Sequence, residues 1–321
     1  MSLKNKNVLV TGGAGFIGSH LVDELINQGA NKIIVVDNFF LGKMENLKEA
    51  TQNSSKVKIY IEDAGDYFAM EAIIRNEEIE VVFNLATKAL IYSFFNPDGA
   101  YMTNVNIAST LLNLQKNGLF KTLIHSSSSE VYGSAMYSPM DEKHPLQPTT
   151  PYAAGKAAAD LMVMSFYNVL GLDISIIRPF NNYGPRQNNG QLAAIIPLTA
   201  KRIMENQKPV IEGSGEQTRD FIYVKDTVRG FIMAYENENT RGKICNLGSG
   251  IEVPVKSVIS TVCDYFDYKG EIEYKPERTA DVKRHCAGIK LAKELIDFEP
   301  KENFKEGIKK TLDWYKEQKA I

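Results

Sequence analysis

The sequence predicts an α/β fold in which a doubly wound parallel sheet is followed by a smaller C-terminal α/β domain. Short β-branched runs alternate with helical patterns in the first half, a glycine-rich turn directly follows the first run, and the alternation loosens after residue 178. Strands that alternate with helices pair in parallel through right-handed helical crossovers. We therefore expect residues 1–177 to form the sheet domain. Residues 178–321 should mainly form the smaller domain, with some segments returning to the first.

Six β-branched runs predict the strands in order. They cover residues 7–11, 32–37, 57–61, 81–85, 122–126 and 173–178. Before the sixth strand, Pro151 predicts the start of a helix, because proline suits the first helical turn and an alanine run continues the pattern. Residues 178–186 (RPFNNYGPR) are rich in chain breakers and predict a loop that leaves the sheet. Further helices are predicted at residues 193–206, 227–237 and 304–316.

Composition and charge argue against several classes of protein. The chain has 321 residues, 44% of them hydrophobic, and its net charge of -2 provides no basic excess for nucleic acid or an anionic membrane. With no apolar leader and no span of about 18 apolar residues, we expect a cytoplasmic protein. Cys245, Cys263 and Cys286 are odd in number and lack metal-ligand spacing, which favours buried small residues over disulfides or a metal site.

The turn after the first strand has the spacing of a dinucleotide-binding loop. Its sequence is TGGAGFIGS, between a predicted strand and a predicted helix. Gly12 or Gly13 permits a tight turn, and Gly15 lets the backbone approach a pyrophosphate at the positive end of the helix. Gly18 lets the helix pack closely on the strand, so the sheet is expected to be of the Rossmann type. The predicted cofactor contacts in this turn are Gly12, Gly15, Phe16, Ile17 and Gly18.

An acidic residue at the end of the second strand indicates which dinucleotide binds. Asp37 lies about 20 residues beyond the glycines, where a carboxylate hydrogen-bonds the adenosine ribose 2′-hydroxyl and repels a 2′-phosphate. NAD is therefore favoured over NADP, although Lys43 leaves an opening for NADP. Asn38 is a further predicted contact. After the third strand, Asp63 and Ala64 are placed to meet the adenine, and Asp63 fits a solvated turn equally well.

Tyr152 and Lys156, in the sequence YAAGK, share one face of the predicted helix. An ammonium group beside a phenol stabilises the phenolate and so favours a catalytic base. The pKa of an unperturbed tyrosine is about 10, and a base at neutral pH needs it lowered by about three units, or about 4 kcal/mol. Lysine alone does not supply that much, whereas an oxidised nicotinamide ring nearby would add to it. By itself the spacing is weak, because it occurs by chance in many helices.

Five segments occur in an order that resembles a known family. They are the glycine loop, Asp37, NLA at residues 84–86, SSSSEVYG at residues 126–133, and the Tyr152/Lys156 pair. Together they resemble the extended short-chain dehydrogenase/reductases, and more narrowly the nucleotide-sugar epimerase/dehydratase group. The resemblance covers nearly the whole chain. It includes RPFN at 178–181, GPR at 184–186, RDFIYVKD at 219–226, and residues 278–281, which are similar to an Arg-Pro-Gly-Asp motif.

The resemblance implies an oxidation centre. Tyr152 removes the proton from a sugar hydroxyl while hydride passes to NAD, with Lys156 keeping the phenol ionised. Ser128 falls four positions before the tyrosine of the Val-Tyr-Gly element and hydrogen-bonds the same hydroxyl. Ser126 and Ser127 keep a simpler interpretation as strand-end and turn residues.

The resemblance also implies binding roles outside the oxidation centre. Leu85 and Ala86 contact the cofactor, and Asn104 holds a backbone kink or a water. A homodimer is expected through the helix near residues 100–116 and the Tyr152 helix. The substrate diphosphate or nucleoside is expected to bind Asn181, Arg219 and Arg278.

Glu130 distinguishes reactions that share this centre. Oxidation at carbon 4 of a hexose acidifies the hydrogen on carbon 5. A 4-epimerase then needs no further base, a 4,6-dehydratase removes that proton and expels the 6-hydroxyl, and a decarboxylase loses a uronate carboxylate. The resemblance implies a glutamate here in dehydratases, often after an aspartate, which is replaced by Ser129. Without that aspartate the segment is similar both to GDP-mannose-type dehydratases and to UDP-glucuronate decarboxylases, so it fits either, whereas plain 4-epimerases usually lack the glutamate. The alternative is that Glu130 is a partly buried structural acid.

The sequence favours a UDP-hexose 4,6-dehydratase, with UDP-N-acetylglucosamine as an example substrate. Its alternatives are a UDP-sugar 4-epimerase, a 5-epimerase, a UDP-glucuronate decarboxylase and a non-catalytic NAD sensor. The sensor is disfavoured because the tyrosine and lysine are retained. The loop TKALIYS at residues 87–93 departs from the His-Val-Asp form of thymidine-diphosphoglucose dehydratases, so Lys88 or Tyr92 is a candidate sugar contact, with a solvated Lys88 as the alternative.

Overall fold

A seven-stranded parallel sheet forms the centre of the computed structural model, which describes residues 1–190, 192–277 and 282–317. Its strand order is β10-β6-β5-β4-β1-β2-β3, and every neighbouring pair is parallel. The strands are β1 Asn7–Thr11, β2 Lys32–Val36, β3 Val57–Tyr60, β4 Val81–Asn84, β5 Thr122–Ser126, β6 Asp173–Pro179 and β10 Ile244–Leu247.

The remaining strands form two small sheets. A three-stranded sheet contains β7 Asn181–Tyr183, β9 Thr218–Tyr223 and β11 Glu252–Pro254, and a two-stranded sheet contains β8 Val210–Glu212 and β12 Glu273–Lys275. The helices are α1 Phe16–Asn27, α2 Lys48–Asn53, α3 Tyr67–Asn76, α4 Pro97–Lys116, α5 Pro151–Leu170, α6 Ile195–Met204, α7 Val224–Glu236, α8 Val255–Tyr265, α9 Lys290–Ile296 and α10 Phe304–Glu317.

Successive side chains of each central strand lie on opposite faces of the sheet, where they pack against two separate layers of helices. In β1, Val8 and Val10 pack in the cluster with α1 and α7, whereas Leu9 packs in the cluster with α3, α4 and α5. This alternation follows from the two-residue period of a strand. Both faces of the sheet are therefore covered, as the continuous apolar runs of the sequence predict, and the doubly wound Rossmann-type fold is confirmed.

The six predicted strands begin where the sequence places them, but the loop predicted at residues 178–186 is wrong in its first half. Strand β6 continues to Pro179, and Asn181–Tyr183 forms β7, paired with β9. Asn181 lies opposite Phe221, so the second strand forms through a partner 40 positions away rather than from a local pattern. The division at residue 177 stays a prediction, and β10 and α7 from the C-terminal part pack with the central sheet.

Helix α5, which carries Tyr152, is held closely against α4. It begins with Pro151 at its first position and Thr150 as its cap, whose hydroxyl accepts from Ala153 N at 3.2 Å. At Gly155 a Cβ atom would lie 2.7 Å from the carbonyl oxygen of Tyr101 in α4. The glycine within YAAGK is thus required by helix packing. In the described ranges no helix has the length and apolarity needed to cross a bilayer.

Gly155→Ala should destabilise the protein even though alanine is the better helix former by about 1 kcal/mol. The added methyl forces α5 away from the α4 backbone, and overpacking of this kind costs about 1–3 kcal/mol. Urea unfolding followed by circular dichroism measures the change. Ser165→Ala, on an exposed part of the same helix, should stay within about 0.5 kcal/mol of wild type. A Gly155→Ala protein as stable as this control would contradict the packing argument.

Candidate active site

A cavity of about 600 Å³ runs along the carboxyl edge of the parallel sheet. Strand β1 lies between β4 and β2, so consecutive connections leave this edge in opposite directions and open a crevice where ligands of such sheets bind. Most of the predicted site residues that the structure describes line this cavity, whereas Tyr92 and Asn104 do not. Those that line it are Gly12, Gly15, Phe16, Ile17, Gly18, Asp37, Asn38, Asp63, Ala64, Leu85, Ala86, Lys88, Ser128, Glu130, Tyr152, Lys156, Asn181 and Arg219.

The glycine turn forms a cradle that side chains would fill. Gly12 has φ of 69°, and a Cβ atom there would lie 2.9 Å from Ala86 backbone atoms. At Gly18 a Cβ atom would lie 2.2 Å from the Gly12 carbonyl oxygen. Helix α1 starts at Phe16 with Gly15 as its cap and no side-chain capping bond, which leaves its first amide groups facing the cavity. The turn therefore fits the pyrophosphate of a dinucleotide.

Asp37 lies buried just beyond β2, beside this cradle. Its carboxylate accepts from Ala14 N at 3.0 Å and Phe39 N at 2.8 Å. Burial raises its pKa, while these bonds and the Lys88 charge lower it. The Lys43 ammonium instead donates to Asn189 Oδ1 at 3.1 Å. A fixed acceptor with no cation bonded to it, among the described residues, suits a ribose hydroxyl and not a 2′-phosphate.

Asn38 and Asp63 both make local turn bonds as well as lining the cavity. Asn38 Oδ1 accepts from Phe40 N at 3.1 Å, and Asp63 Oδ1 accepts from Gly65 N at 2.8 Å. The turn role considered for Asp63 in the sequence is therefore present, and its exposed carboxylate still faces the cavity.

The Tyr152 phenol lies half-buried in the cavity. Burial raises its pKa to about 12, hydrogen bonds with the Ser128 and Thr87 hydroxyls lower it, and the Glu130 charge raises it further. The Lys156 ammonium donates to the backbone carbonyl of Ser126 at 2.9 Å, and burial lowers its pKa to about 8. The sequence predicts that lysine alone does not lower the phenol pKa far enough, and in the structure the protein groups leave that pKa raised. Burial outweighs them.

A short 3₁₀ turn at Ser129–Tyr132 places Glu130 near the phenol. Ser128 caps this turn, with its Oγ accepting from Glu130 N at 3.2 Å. Glu130 lines the cavity, and its charge acts on Tyr152. Ser127 has the structural role expected of it, since its Oγ donates to Asp160 at 2.6 Å.

Sequence reasoning missed Thr87, which joins Tyr152 to helix α4. Its hydroxyl hydrogen-bonds the phenol and donates to Asn104 Oδ1 at 2.8 Å. Asn104 in turn donates to the Ala100 carbonyl at 3.0 Å, which matches its expected position beside the site. The signal was available, because Thr87 directly follows the NLA segment after β4.

Two further cavity residues, Gln187 and Asn188, were also missed. With Asn181 they each carry one buried amide atom that has no hydrogen-bond partner among the described residues. Unpaired buried amides are costly and suit a polar ligand. Arg219 lies near them, its Nη1 donating to the carbonyl oxygens of Thr218 and Val282. Arg278 lies outside the described residues.

Lys88 lies over aromatic rings. Its Nζ is 3.4 Å from the centre of the Phe40 ring and 5.7 Å from that of Tyr92. Burial lowers its pKa, and Asp63 and Asp37 raise it. Lys88 therefore connects the loops after β4 and β2 at the Asp37 end of the cavity, and it is not fully solvated.

The three cysteines are buried, as expected from the sequence, and their thiols are free in the structure. In the part of the chain that the structure describes, no group of three or more His, Cys, Asp or Glu side chains is arranged to hold a metal ion.

A dinucleotide cradle that opens into the same cavity as a hydrogen-bonded tyrosine places this molecule among the NAD-dependent short-chain dehydrogenases/reductases. The family model described as GDP-mannose 4,6 dehydratase matches residues 9–311, and the chain belongs to that family. The resemblance predicted from the sequence, the cofactor NAD and an enzyme acting on nucleotide sugars are thereby confirmed.

Similar proteins carry out three different reactions. UDP-glucuronic acid decarboxylase 1 of Arabidopsis thaliana is 33% identical over 311 residues, covering 95% of this chain and 68% of that protein. UDP-N-acetylglucosamine 4-epimerase from Methanobrevibacter ruminantium M1, in complex with UDP-N-acetylmuramic acid, has a TM-score of 0.90 at 36% identity, covering 98% of this chain and 99% of that one. DesIV, the dTDP-glucose 4,6-dehydratase of Streptomyces venezuelae with NAD and TYD bound, has a TM-score of 0.92 at 27% identity, covering 98% of both chains.

Asp37→Ala should weaken NAD binding by about 10- to 100-fold, the range of a hydrogen bond to a charged group at about 1.5–3 kcal/mol. Affinity for NADP should fall less, because the repulsion of a 2′-phosphate disappears. Calorimetric titration of both dinucleotides measures the preference. Asp63→Ala removes an exposed carboxylate from the same cavity and should change the preference between NAD and NADP little. An unaltered NAD-to-NADP preference in Asp37→Ala would show that Asp37 does not select the cofactor.

Proposed function

We propose that this chain is a 4,6-dehydratase of a UDP-linked hexose such as UDP-N-acetylglucosamine. It oxidises carbon 4 through Tyr152 and then acts at carbon 5 through Glu130. The observation that carries the proposal is the position of Glu130, a carboxylate in the same cavity as the phenol and close enough to raise the pKa of Tyr152.

Tyr152 accepts the proton of the 4-hydroxyl. Ser128 and Thr87, which hydrogen-bond the phenol, hold the hydroxyl and the phenol in line for this transfer. The glycine turn would hold NAD, which when bound would supply the acceptor for the carbon 4 hydride and a positive charge that favours the phenolate. Lys156, whose ammonium donates to the Ser126 carbonyl, adds a second positive charge.

Glu130 then takes the carbon 5 proton, which the neighbouring ketone has made acidic. The carbon 5 electron pair forms a double bond to carbon 6, and the 6-hydroxyl leaves. Ser129 stands where dehydratases of this group often carry an acidic aspartate. Glu130, protonated by the first half of the step, therefore returns that proton to the leaving hydroxyl as water departs. The hydride taken from carbon 4 would then return to carbon 6 while a solvent proton adds at carbon 5, which would restore NAD and leave a 4-keto-6-deoxy sugar.

The diphosphate lies toward the C-terminal loops in this proposal. Asn181, Gln187 and Asn188 present amide groups there, and Arg219 contributes a positive charge. A UDP-linked substrate is supported by the names of the decarboxylase and the 4-epimerase that this chain resembles.

A UDP-sugar 4-epimerase is the second candidate. The structure at 36% identity over nearly the whole chain bears that name, which favours it on similarity. The two candidates differ at carbon 5, because a simple 4-epimerase never removes that proton. Retention of Tyr152, Lys156 and Ser128 in a hydrogen-bonded site argues against a non-catalytic NAD sensor.

Incubation with a panel of UDP-sugars in deuterated water should place deuterium at carbon 5 of the product. Glu130→Gln keeps the size of the side chain and removes the base, so we expect carbon 5 exchange to fall by about 100-fold or more. Absorbance at 340 nm should still rise, since carbon 4 oxidation depends on Tyr152. NMR and mass spectrometry of the products measure both.

Tyr152→Phe is the matched control for that experiment and should lose both signals. A wild-type enzyme that inverts carbon 4 and leaves carbon 5 unlabelled would establish the 4-epimerase instead. Full turnover by Tyr152→Phe would point to a centre other than Tyr152.

We further propose a cytoplasmic homodimer built on α4 and α5. Three unpaired thiols fit a reducing compartment. Helices α4 and α5 pack on each other and leave large apolar side chains exposed, among them Met102 and Leu161, the latter 63% exposed. Exposed apolar residues on two adjacent long helices fit a self-complementary interface.

Leu161→Glu should convert the dimer to a monomer, because it buries a charge in the proposed interface. Light scattering after gel filtration should give twice the chain mass of 35.9 kDa for wild type and one chain mass for the variant. Val169→Glu, at another exposed apolar position of α5, tests whether the effect is specific to Leu161. A monomeric wild type contradicts the proposal.

A further inference from the structure

The buried carboxylate of Asp160, on the same helix as Tyr152 and Lys156, has no role in the reaction steps proposed above. Asp160 follows Lys156 by one helical turn on α5, so both side chains lie on one face of that helix. Asp160 is 1% exposed and Lys156 is 3% exposed. Buried charges are retained where another charge or several hydrogen bonds compensate them.

Two neighbouring strands hold one oxygen of this carboxylate. Asp160 Oδ2 accepts from Ser127 Oγ at 2.6 Å, from Arg178 Nε at 2.9 Å, and from Arg178 Nη2 at 2.9 Å. Arg178 is itself buried and donates to the Tyr132 hydroxyl at 2.9 Å. Burial raises the pKa of Asp160, and the guanidinium opposes it. The double hydrogen bond to Arg178 keeps the carboxylate ionised.

The other oxygen, Oδ1, is buried and has no hydrogen-bond partner among the described residues. His125 Nε2 lies 3.8 Å away and is likewise unpartnered. Asn84 Oδ1 accepts from Thr11, so its amide donates to His125 Nδ1 at 3.0 Å and the ring proton lies on Nε2. Burial lowers the pKa of His125 to about 3, so the ring is neutral and does not compensate the carboxylate.

Among the described residues, Lys156 is the second cation, after Arg178, whose charge acts on Asp160. The titratable groups around Lys156 are Tyr152 and Asp160 on the same helix, His125 on β5, Arg178 on β6 and Glu130 on the turn after β5. Helix α4 meets this stretch through the backbone of Tyr101 against Gly155. Of these groups, Asp160 is the one that favours the ammonium against burial.

We propose that Asp160 is a positioning residue for the reaction: its carboxylate, fixed by Arg178 and Ser127, keeps Lys156 charged and aligned on the Ser126 carbonyl beneath Tyr152. This inference rests on the roles proposed above for Tyr152 and Lys156. Removing the carboxylate leaves a buried ammonium with no compensating charge. The lysine then loses its proton at a lower pH, and the support it gives the phenolate is lost with it.

The test is the pKa of Lys156 in Asp160→Asn, an isosteric change that keeps an acceptor for Ser127 and Arg178. It is measured in the NAD-bound enzyme from the pH dependence of the ¹³Cε signal in ¹³C-lysine-labelled protein, with the signal assigned by its loss in Lys156→Met. We expect a fall of about one unit or more, a tenfold change in the ammonium equilibrium. Ser127→Ala removes a hydrogen bond to Asp160 but no charge and should shift the pKa less than half as far.

The pH dependence of the reaction rate gives a second measurement on the same proteins. A lysine needed as ammonium loses activity as pH rises through its pKa, so the alkaline limb of the rate of product formation should move to lower pH in Asp160→Asn. Asp160→Glu, which restores a carboxylate, should move it back. An unchanged Lys156 pKa overturns the proposal whatever the stability of the variant.

Loss of folding does not block the test. If Asp160→Asn fails to fold because Arg178 is left unpaired, the double variant with Arg178→Gln removes both charges and is titrated in its place. It should still show a lowered Lys156 pKa, and a wild-type value overturns the proposal. The titration needs no substrate, so absence of turnover with every UDP-sugar would reject the proposed reaction and leave the titration to decide the role of Asp160.

Discussion

The buried ion pair between Asp160 and Arg178 fixes α5 on the carboxyl side of the central sheet, and the geometry of the cavity depends on it. Gly155 permits the matching close approach to α4 on the other side. Held between these contacts, the first turn of α5 cannot shift without breaking a buried charge pair or clashing with backbone. Removing one partner of such a pair costs about 3–5 kcal/mol. The Tyr152 hydroxyl lies within hydrogen-bonding distance of the Ser128 and Thr87 side chains because these contacts hold its helix in place.

The same burial that fixes the phenol also holds it in its neutral form. Its pKa of about 12 means that protein groups alone keep Tyr152 protonated, even with Lys156 one turn away. The lysine is itself close to losing its proton, with a pKa of about 8. A site so balanced responds strongly to any added positive charge, because each pKa unit corresponds to about 1.4 kcal/mol. In the proposed mechanism that charge would come from the oxidised cofactor, which would lower the pKa of the phenol once bound.

Local patterns predicted most of the fold and the residues of the cradle, because strand periodicity, glycine spacing and the strand-end carboxylate at Asp37 are properties of short segments. What the sequence missed depends on partners far along the chain. Arg178 resembles a loop residue beside Pro179, yet its partner Asp160 lies on another element and makes it part of the core. Gln187 and Asn188 became visible as site residues only when the folded chain showed which groups line the cavity with them.

The relation between Glu130 and Tyr152 favours chemistry at carbon 5. An ionised Glu130 raises the pKa of the phenol that must act as a base, so its presence makes carbon 4 oxidation harder. A 4-epimerase gains nothing in return, because its reaction needs no second base. An enzyme that must remove the carbon 5 proton does gain, since the second acidic group supplies the base for that step. The need for a second proton transfer thus explains why Glu130 lies where its charge disfavours the Tyr152 phenolate.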